Sequence, residues 1–349
     1  MRFHSAEPQP PVWKLIFCLL FLLWPLSGWA DGREVIDGVG RKVTLPATIE
    51  RVFAAGPPVS VLVYVLAPEK LLGWPAPLSE KAKALLMPKY AALPEVGRFA
   101  GRGSTASGES VAALHPDLIF DAGSIDDTYV SMAERIQAQT GIPYVLIDGR
   151  MPDTPAMLRK AGDFLGVPER AEPLALYAEK VLSEVTGRIA SQTGQPRPRV
   201  YYARGADGLE TGMKGSINAE LIDYLGAVNV AEDGKEGIGH VSMEQVLGWN
   251  PDVIIAASPA FFTEIARQPL WQSLRAVREH RVYLAPLWPF GWIDGPPSVN
   301  RLIGVRWLAA RLYPSLFPED LRPVAKEFYR LFYGVDLSDA AFDDLLAKP

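Results

Sequence analysis

Two stretches of the chain, 135 residues apart, carry the same order of apolar and polar positions. They are ESVAALHPDLIF at 109–120 and EQVLGWNPDVII at 244–255, and five of their twelve positions are identical. In each, apolar residues at helical spacing precede a proline, which cannot continue a helix, and then an apolar β-run. Both are predicted to form a short helix, a turn and a buried strand. A unit found once in each half indicates two similar α/β lobes, although Pro-Asp before a strand is also common helix-stop chemistry.

Strands and helices alternate around both copies. In the first half, a hairpin is predicted over 31–50, strands over 51–56, 71–74, 117–121 and 143–148, and helices from Pro57 to about residue 68, over 81–87 and over 127–140. In the second half, strands are predicted over 199–205, 252–258 and 281–286, with helices over 217–225 and 298–312. Such alternation predicts parallel sheets covered on both faces, the pattern of doubly wound α/β lobes.

A long helical stretch separates the two halves. It runs about twenty residues without Gly or Pro in its centre and carries its charges on one side, which favours a rigid helical bridge over a flexible linker. The predicted organisation is therefore an N-terminal lobe over 31–168, a bridging helix over 169–195 and a C-terminal lobe over 196–349.

The first thirty residues have a different composition. A short apolar run over 15–26 follows basic residues and precedes the small residues Gly28 and Ala30, which is the layout of a secretory signal peptide. Cleavage is expected after Ala30, with an uncleaved anchor as the alternative. The single cysteine, Cys18, would leave with this segment. A large exported chain without disulfides indicates a periplasmic compartment and a core that stabilises the fold alone.

Charge and motifs exclude several function classes. The formal net charge is −5, and losing Arg2, Lys14 and Glu7 with the signal moves it to −6. This mild acidity, without a basic run, gives no indication of nucleic-acid binding, and no later stretch is long and apolar enough to span a membrane. No nucleophile elbow, GKS or GKT motif or cysteine metal site is present. We expect a monomeric binding protein without a cofactor, the remote alternative being a chelatase-like enzyme.

Several of these segments together resemble a known family. The stretch DGVGRKVTLPATIERVFAAG at 37–56, the paired E-x-V-x-x-x-x-P-D-[LV]-I motifs, the bridging helix and RVYLAP at 281–286 resemble the substrate-binding proteins of ABC importers for iron-siderophore, haem and cobalamin ligands. The resemblance implies a ligand cleft between the lobes and little hinge closure. It also implies that Glu109 and Glu244 dock onto arginines of the inner-membrane permease. The alternative is that each glutamate only favours its helix dipole.

Ligands of open parallel sheets lie beyond the carboxyl ends of the strands, so candidate residues are sought in the loops there. The candidates are Pro57, Trp74, Arg98, Arg102, Ser104 and Arg150 in the first lobe and Arg204, Thr211, Lys214, Ser216, Trp288 and Trp292 in the second. Arginine forks match carboxylate, catecholate or phosphate-like oxygens, and tryptophans provide flat apolar walls. This mixture predicts a metal chelate, with a ferric siderophore as the main expectation. Each arginine taken singly is equally compatible with a solvated loop charge. The 288–292 stretch is equally compatible with a packed corner of the fold.

The Gly-rich loop over 208–216 supports a different cargo. It leads into a predicted helix that Ser216 can cap, and such a helix start binds anions through its backbone N–H groups. This arrangement suits molybdate or tungstate, while cobalamin and haem remain alternatives within the same class. The alternative is that the loop has no binding role, because Gly-rich loops commonly precede helices in α/β proteins. His240 is the one histidine near these loops, and a single histidine without cysteine does not predict a metal site.

Overall fold

The structure is a computed structural model. It describes residues 32–101, 103–191, 194, 196–232 and 237–347. The expected signal segment over 1–30 and the candidate Arg102 lie outside the described residues.

Lobe one is built on a parallel sheet of three strands beside a small hairpin. Strands β1 (Arg33–Ile36) and β2 (Lys42–Leu45) form the predicted antiparallel hairpin, and β3 (Val52–Ala54), β4 (Leu118–Gly123) and β5 (Tyr144–Asp148) follow in the order β3-β4-β5. The helices are α1 (Pro57–Leu66), α2 (Glu80–Lys83), α3 (Pro88–Ala91), α4 (Gly108–Ala112), α5 (Asp127–Thr140) and α6 (Thr154–Leu165).

The strand predicted over 71–74 is wrong. Leu71 and Trp74 each form only an isolated bridge, to Val52 and Glu95 respectively. Pro75 follows directly and has no backbone N–H to donate, so a sheet ladder cannot continue there.

The bridge is a single helix, α7 (Pro168–Ala190). At 1.5 Å per residue its 23 residues span about 35 Å, enough to cross from one lobe to the other. Its buried stripe includes Leu174, Ala178 and Val185. The helix ends at Ala190, five residues before the predicted end.

Lobe two repeats the architecture with a parallel sheet of four strands and a short antiparallel pair. Its strands are β6 (Arg199–Ala203), β7 (Glu210–Gly212), β8 (Val228–Asn229), β9 (Ile238–His240), β10 (Val253–Ala256) and β11 (Val282–Leu284), in the orders β11-β10-β6-β8 and β7-β9. Its helices are α8 (Glu220–Tyr224), α9 (Met243–Trp249), α10 (Pro259–Glu264), α11 (Pro269–Gln272), α12 (Arg275–Arg278), α13 (Arg301–Leu312), α14 (Leu321–Phe328) and α15 (Asp339–Leu346).

The repeated motif has the same capping and packing in both lobes. Helices α4 and α9 each begin at a serine, Ser107 and Ser242, whose side chain accepts from the backbone N–H three residues on as part of a capping box. Val111 and Val246, two residues after the paired glutamates, are fully buried. The helix of each copy is therefore held by the same two local features, a serine capping box and a buried valine.

The Pro-Asp pair of each copy joins its motif to the first strand of the parallel sheet in its lobe. The Asp117 carboxylate accepts from the backbone N–H of Arg51 at 2.8 Å, and that of Asp252 accepts from the backbone N–H of Arg199 at 3.0 Å. These bonds align β4 beside β3 and β10 beside β6 in parallel. The repeat of two similar lobes, predicted from the sequence, is thus present in the fold.

The C-terminal segment, which the sequence predicts within lobe two, also packs against lobe one. The Tyr64 hydroxyl in α1 donates to the Tyr333 carbonyl at 2.9 Å, and Arg170 in the bridging helix donates to the Leu331 carbonyl at 2.6 Å. One continuous hydrophobic core includes residues of both lobes. The lobes are therefore joined both by α7 and by the C-terminal helices. Among the described residues, no helix is long and apolar enough to cross a membrane.

Candidate functional site

A small pocket lies between the lobes, beyond the carboxyl ends of the lobe one strands. Pro58, Gly123 and Gly149 line it from lobe one, and Pro297 and Ser298 line it from lobe two. It contains about 220 Å³ of space, part of which is open to solvent. The position agrees with the rule that ligands of open α/β sheets bind outside the strand ends.

Three of the lobe one candidates come together at one edge of this cleft. Pro57 is the first residue of α1, and the backbone N–H of Phe99 donates to the carbonyl of Ala55, two residues before Pro57, at 2.8 Å. Arg98 donates to the Gly103 carbonyl at 3.1 Å, and the Ser104 hydroxyl lies 3.2 Å from the Arg98 carbonyl. Both side chains thus take part in holding the loop in shape.

The structure corrects the expectation that Trp74 and Trp292 form walls of the cleft. Trp74 is 2% exposed and donates to the Tyr90 carbonyl at 2.9 Å, while Trp292 is fully buried and donates to the Tyr329 hydroxyl at 3.2 Å. Each indole N–H has a partner inside the fold, so both rings are stable in the core. Trp288 is half-buried, and its carbonyl accepts from the same Tyr329 hydroxyl at 2.6 Å.

Replacing Trp292 with Phe is expected to lower the free energy of unfolding by about 1 to 2 kcal/mol, because it removes a buried hydrogen bond and part of a packed ring. Urea denaturation of the variant measures the loss. Trp288→Phe, at the half-buried end of the same segment, is the control and is expected to change stability by less than about 0.5 kcal/mol. Equal losses in the two variants would contradict the core assignment of Trp292.

Arg204 is not a free cation at the cleft. Its Nε donates to Glu210 at 2.9 Å, and its guanidinium also pairs with the buried carboxylate of Asp294. Asn218 donates to the second oxygen of Asp294 at 3.0 Å. With two carboxylates around it, Arg204 joins β6 to β7 and to the chain before α13. This corrects its expected role as an anion ligand.

Part of the region predicted as an anion-binding loop is strand. Residues 210–212 form β7, paired with β9, and Thr211 within it is fully buried with a hydroxyl that has no partner among the described residues. Lys214 is half-exposed and pairs with Glu232 at 2.7 Å. Ser216 closes a turn with Asn218, and helix α8 begins only at Glu220 and spans five residues. Ser216 therefore caps no helix, and the expected helix N-terminus beside it is absent.

The loop after β5 forms hydrogen bonds to lobe two. Arg150, 41% exposed, donates from Nη1 to the Gly215 carbonyl of lobe two at 3.0 Å, and the same nitrogen lies 3.9 Å from Glu220. The backbone N–H of Met151 donates to Glu220 at 2.9 Å. Arg150 is thus a sequence candidate whose side chain hydrogen-bonds across the cleft.

Arg301, which the sequence analysis missed, completes this contact. It is 1% exposed at the start of α13 and donates to Glu220 at 2.9 Å, to the Ser298 carbonyl at 3.2 Å and to the Gly149 carbonyl. Burial lowers the pKa of Arg301 and the Glu220 carboxylate opposes that shift, so the guanidinium stays charged at neutral pH. Two guanidiniums, those of Arg150 and Arg301, lie with two carboxylates, those of Glu220 and Asp148, so the formal charges of this group balance.

The paired glutamates lie on the surface. Glu109 and Glu244 are both exposed in the first turns of α4 and α9. Hydrogen bonds at the helix start, including one with Ser242, lower the pKa of Glu244. His240 is exposed and lies 3.9 Å from Glu210. In the part of the chain that the structure describes, no group of three or more His, Cys, Asp or Glu side chains is arranged to hold a metal ion.

Comparison with known proteins adds independent information. Residues 79–287 match the sequence model of the family described as "Periplasmic binding protein". An ABC transporter solute binding protein from Sulfurospirillum deleyianum has a similar structure, with a TM-score of 0.82 and 30% identity over 90% of this chain and 98% of that one. The molybdate-binding protein MolA of Haemophilus influenzae is 29% identical over 91% of this chain and 95% of its own length. A vitamin B12-binding protein of Salmonella typhimurium is 29% identical over 71% of this chain and 81% of its own length.

Proposed function

The chain belongs to the periplasmic binding protein family, the solute-binding components of ABC importers, and from this premise we propose that its cargo is a small oxyanion of the molybdate and tungstate class. Members of this family bind small molecules and deliver them to a permease, and they are not enzymes. The observation that carries the proposal is the small pocket between the lobes, with the half-exposed guanidinium of Arg150 directly after the lining residue Gly149.

The size of the pocket supports a small cargo. Its 220 Å³ of space between atoms includes open solvent, so the enclosed part is smaller still. The backbone at Gly149 and Gly123 approaches closely, because a Cβ at Gly149 would lie 3.0 Å from the Gly123 Cα. A small tetrahedral anion requires less widening of this space than a bulky chelate does.

The charge at the pocket edge supports an anion. Arg150 presents a half-exposed guanidinium, whose planar donors match oxyanion geometry and whose charged hydrogen bonds are stronger than neutral ones. Because Glu220 is already paired with Arg301, it compensates Arg150 only from 3.9 Å. The half-exposed Arg150 guanidinium is therefore the group that this edge offers to a bound anion.

The ferric siderophore expected from the sequence has less support. That expectation rested on arginines and tryptophans together, but Trp74 and Trp292 are core residues and Arg204 is neutralised by two carboxylates. Among the relatives, MolA is described as molybdate-binding and aligns with this chain over more of its length than the vitamin B12-binding protein does.

We also propose that Glu109 and Glu244 contact the permease. Their exposure and their equivalent positions in the two lobes support this role. Exposed charges of this kind orient a partner and raise the association rate more than they add affinity.

Isothermal titration of the mature protein, residues 31–349, tests the proposed cargo. We expect saturation at one molar equivalent by molybdate or tungstate, without saturation by cobalamin, haem or a ferric siderophore. Arg150→Met is expected to weaken oxyanion binding about 10- to 100-fold, since it removes a charged hydrogen bond. Arg330→Met, a surface arginine paired with Asp336, is the control and should bind like the wild type. Saturation by a ferric chelate or cobalamin, without a response to the oxyanions, would overturn the proposal.

A further inference from the structure

Arg301 and Glu220 form a preassembled clamp on lobe two that holds one short backbone segment of lobe one. Their side chains bond to each other at 2.9 Å and are almost completely buried. The free donor of Arg301 reaches the Gly149 carbonyl, and Glu220 accepts from the Met151 N–H at 2.9 Å. Donor and acceptor therefore hold the two ends of a three-residue segment in lobe one.

The clamp acts directly on the wall of the pocket. Gly149 lines the pocket from lobe one and Ser298 lines it from lobe two, and both carbonyls accept from the same Arg301 guanidinium. The planar fork of arginine fixes the relative direction of its hydrogen bonds. The separation of these two walls is thus set by a rigid group, not by a flexible side chain.

The lobes have other connections. The bridging helix and the C-terminal helices share one core with both lobes and form hydrogen bonds at the Leu331 and Tyr333 carbonyls, and the ring of Trp74 lies 5.7 Å from that of Phe290. At the pocket, the lobes are joined by the polar contacts of residues 149–151 with Gly215, Glu220 and Arg301. Loss of the clamp would leave the other connections in place and allow the pocket edge to widen.

We propose that Arg301 and Glu220 are positioning residues that set the width of the cleft and so restrict the cargo to small anions. The inference rests on the proposed oxyanion cargo for its consequence, although the clamp itself can be tested without any cargo. Neither side chain needs to touch the anion. Their effect passes through the backbone of residues 149–151.

The first experiment measures lobe separation directly. Since the mature chain has no cysteine, spin labels at Thr128→Cys in α5 and Ala260→Cys in α10, both exposed, report one distance across the cleft by pulsed electron resonance. In the cargo-free protein, Arg301→Met is expected to lengthen and broaden that distance distribution. Arg301→Met/Glu220→Met removes both charges together, which avoids a buried unpaired carboxylate and keeps the test informative if the single variant unfolds.

The second experiment measures selectivity in the same variants by titration with molybdate and with ferric citrate. We expect the Kd for molybdate to rise at least about tenfold, while the Kd for ferric citrate stays the same or falls. Replacing a residue that only stabilises the fold would not change the affinity for molybdate relative to that for ferric citrate.

Arg306→Met is the matched control. Arg306 lies on the same helix, is also buried and pairs with Glu184 of the bridging helix at 2.7 Å, away from the pocket. It should leave both the distance and the selectivity unchanged. A wild-type distance distribution in both Arg301 variants would overturn the clamp. Failure of the wild-type protein to bind molybdate would overturn the proposed cargo instead, and the distance measurement would still decide the clamp.

Discussion

Replacing Glu109 and Glu244 together with Arg is expected to reduce import to the level of cells lacking the protein, while the affinity for cargo stays unchanged. If each carboxylate meets a positive group of the permease, the double change places like charges opposite each other, which costs several kcal/mol in a docked complex. Uptake of labelled cargo by intact cells measures the first effect, and titration of the purified variant measures the second.

The structure explains why the two sites should act together. Each glutamate occupies the first turn of a short helix held by a serine capping box and a fully buried valine. The two side chains are therefore presented on rigid elements at equivalent positions of the two lobes. A single Glu→Arg change leaves one contact intact and is expected to reduce import less than the double change.

Glu134→Arg/Glu279→Arg is the matched control, because it makes the same change of charge at two other exposed positions, one in each lobe. We expect normal uptake from it. Normal uptake by the Glu109→Arg/Glu244→Arg protein would remove the docking assignment. An equal loss in both double variants would show that overall charge, and not these two sites, controls import.

The lobes and their repeat could be predicted from the sequence because the signals are local. A proline ends each repeated helix, the following aspartate bonds to the first strand of its lobe, and α5 over Asp127–Thr140 has the predicted bounds. Its N-cap Asp126 and the left-handed Gly141 after it explain that agreement. Capping and helix-stop residues act within a few positions of themselves, so one sequence is enough to identify them.

The candidate site could be predicted only in part, because its contacts join distant residues. The acids that neutralise Arg204 lie 6 and 90 residues away, at Glu210 and Asp294. Whether a tryptophan after a strand lines a cleft or fills a core depends on what packs against it, and for Trp292 that residue is Tyr329. Neither outcome has a local signal.

Arg301 was missed for the same reason. It opens the helix RLIGVRWLAARL, where arginines are spaced like ordinary surface charges of an amphipathic helix. In the fold this helix is buried on most of its surface, and its first two arginines are buried with acidic partners, Glu220 and Glu184. A charged residue within an otherwise apolar helix start is the one sequence feature that could have indicated it.

The carboxyl group of Asp121 in β4 is buried without an ion-pair partner among the described residues. It is 3% exposed, accepts from the Ala122 N–H at 2.9 Å and accepts from the Tyr144 hydroxyl at 3.2 Å. No described residue forms an ion pair with it. Burial raises the pKa of Asp121 to about 7, and the two hydrogen bonds only partly oppose that shift.

Replacing Asp121 with Asn is expected to raise the free energy of unfolding more at pH 8 than at pH 4. The difference between the two effects is up to about 4 kcal/mol. Below pH 4 the aspartate is protonated in both the folded and the unfolded chain, so its ionisation costs nothing. As the pH rises from 4 to 7, the unfolded chain releases the proton while the folded chain retains it, which favours unfolding. Above pH 7 both states are ionised, and the penalty stays constant. Asparagine removes this dependence because it does not titrate.

Urea denaturation of the wild type and the variant at pH 4, 5.5, 7 and 8 measures the effect. The difference in unfolding free energy between the two proteins should grow steadily in favour of Asn between pH 4 and 7 and then level off. Tyr144→Phe is the informative control, because the Tyr144 hydroxyl lowers the pKa of Asp121 by bonding to the charged form. Without that bond the same pH dependence should extend to higher pH. A difference between wild type and Asp121→Asn that is constant across the pH range would mean that the folded chain ionises this carboxyl as readily as the unfolded chain does.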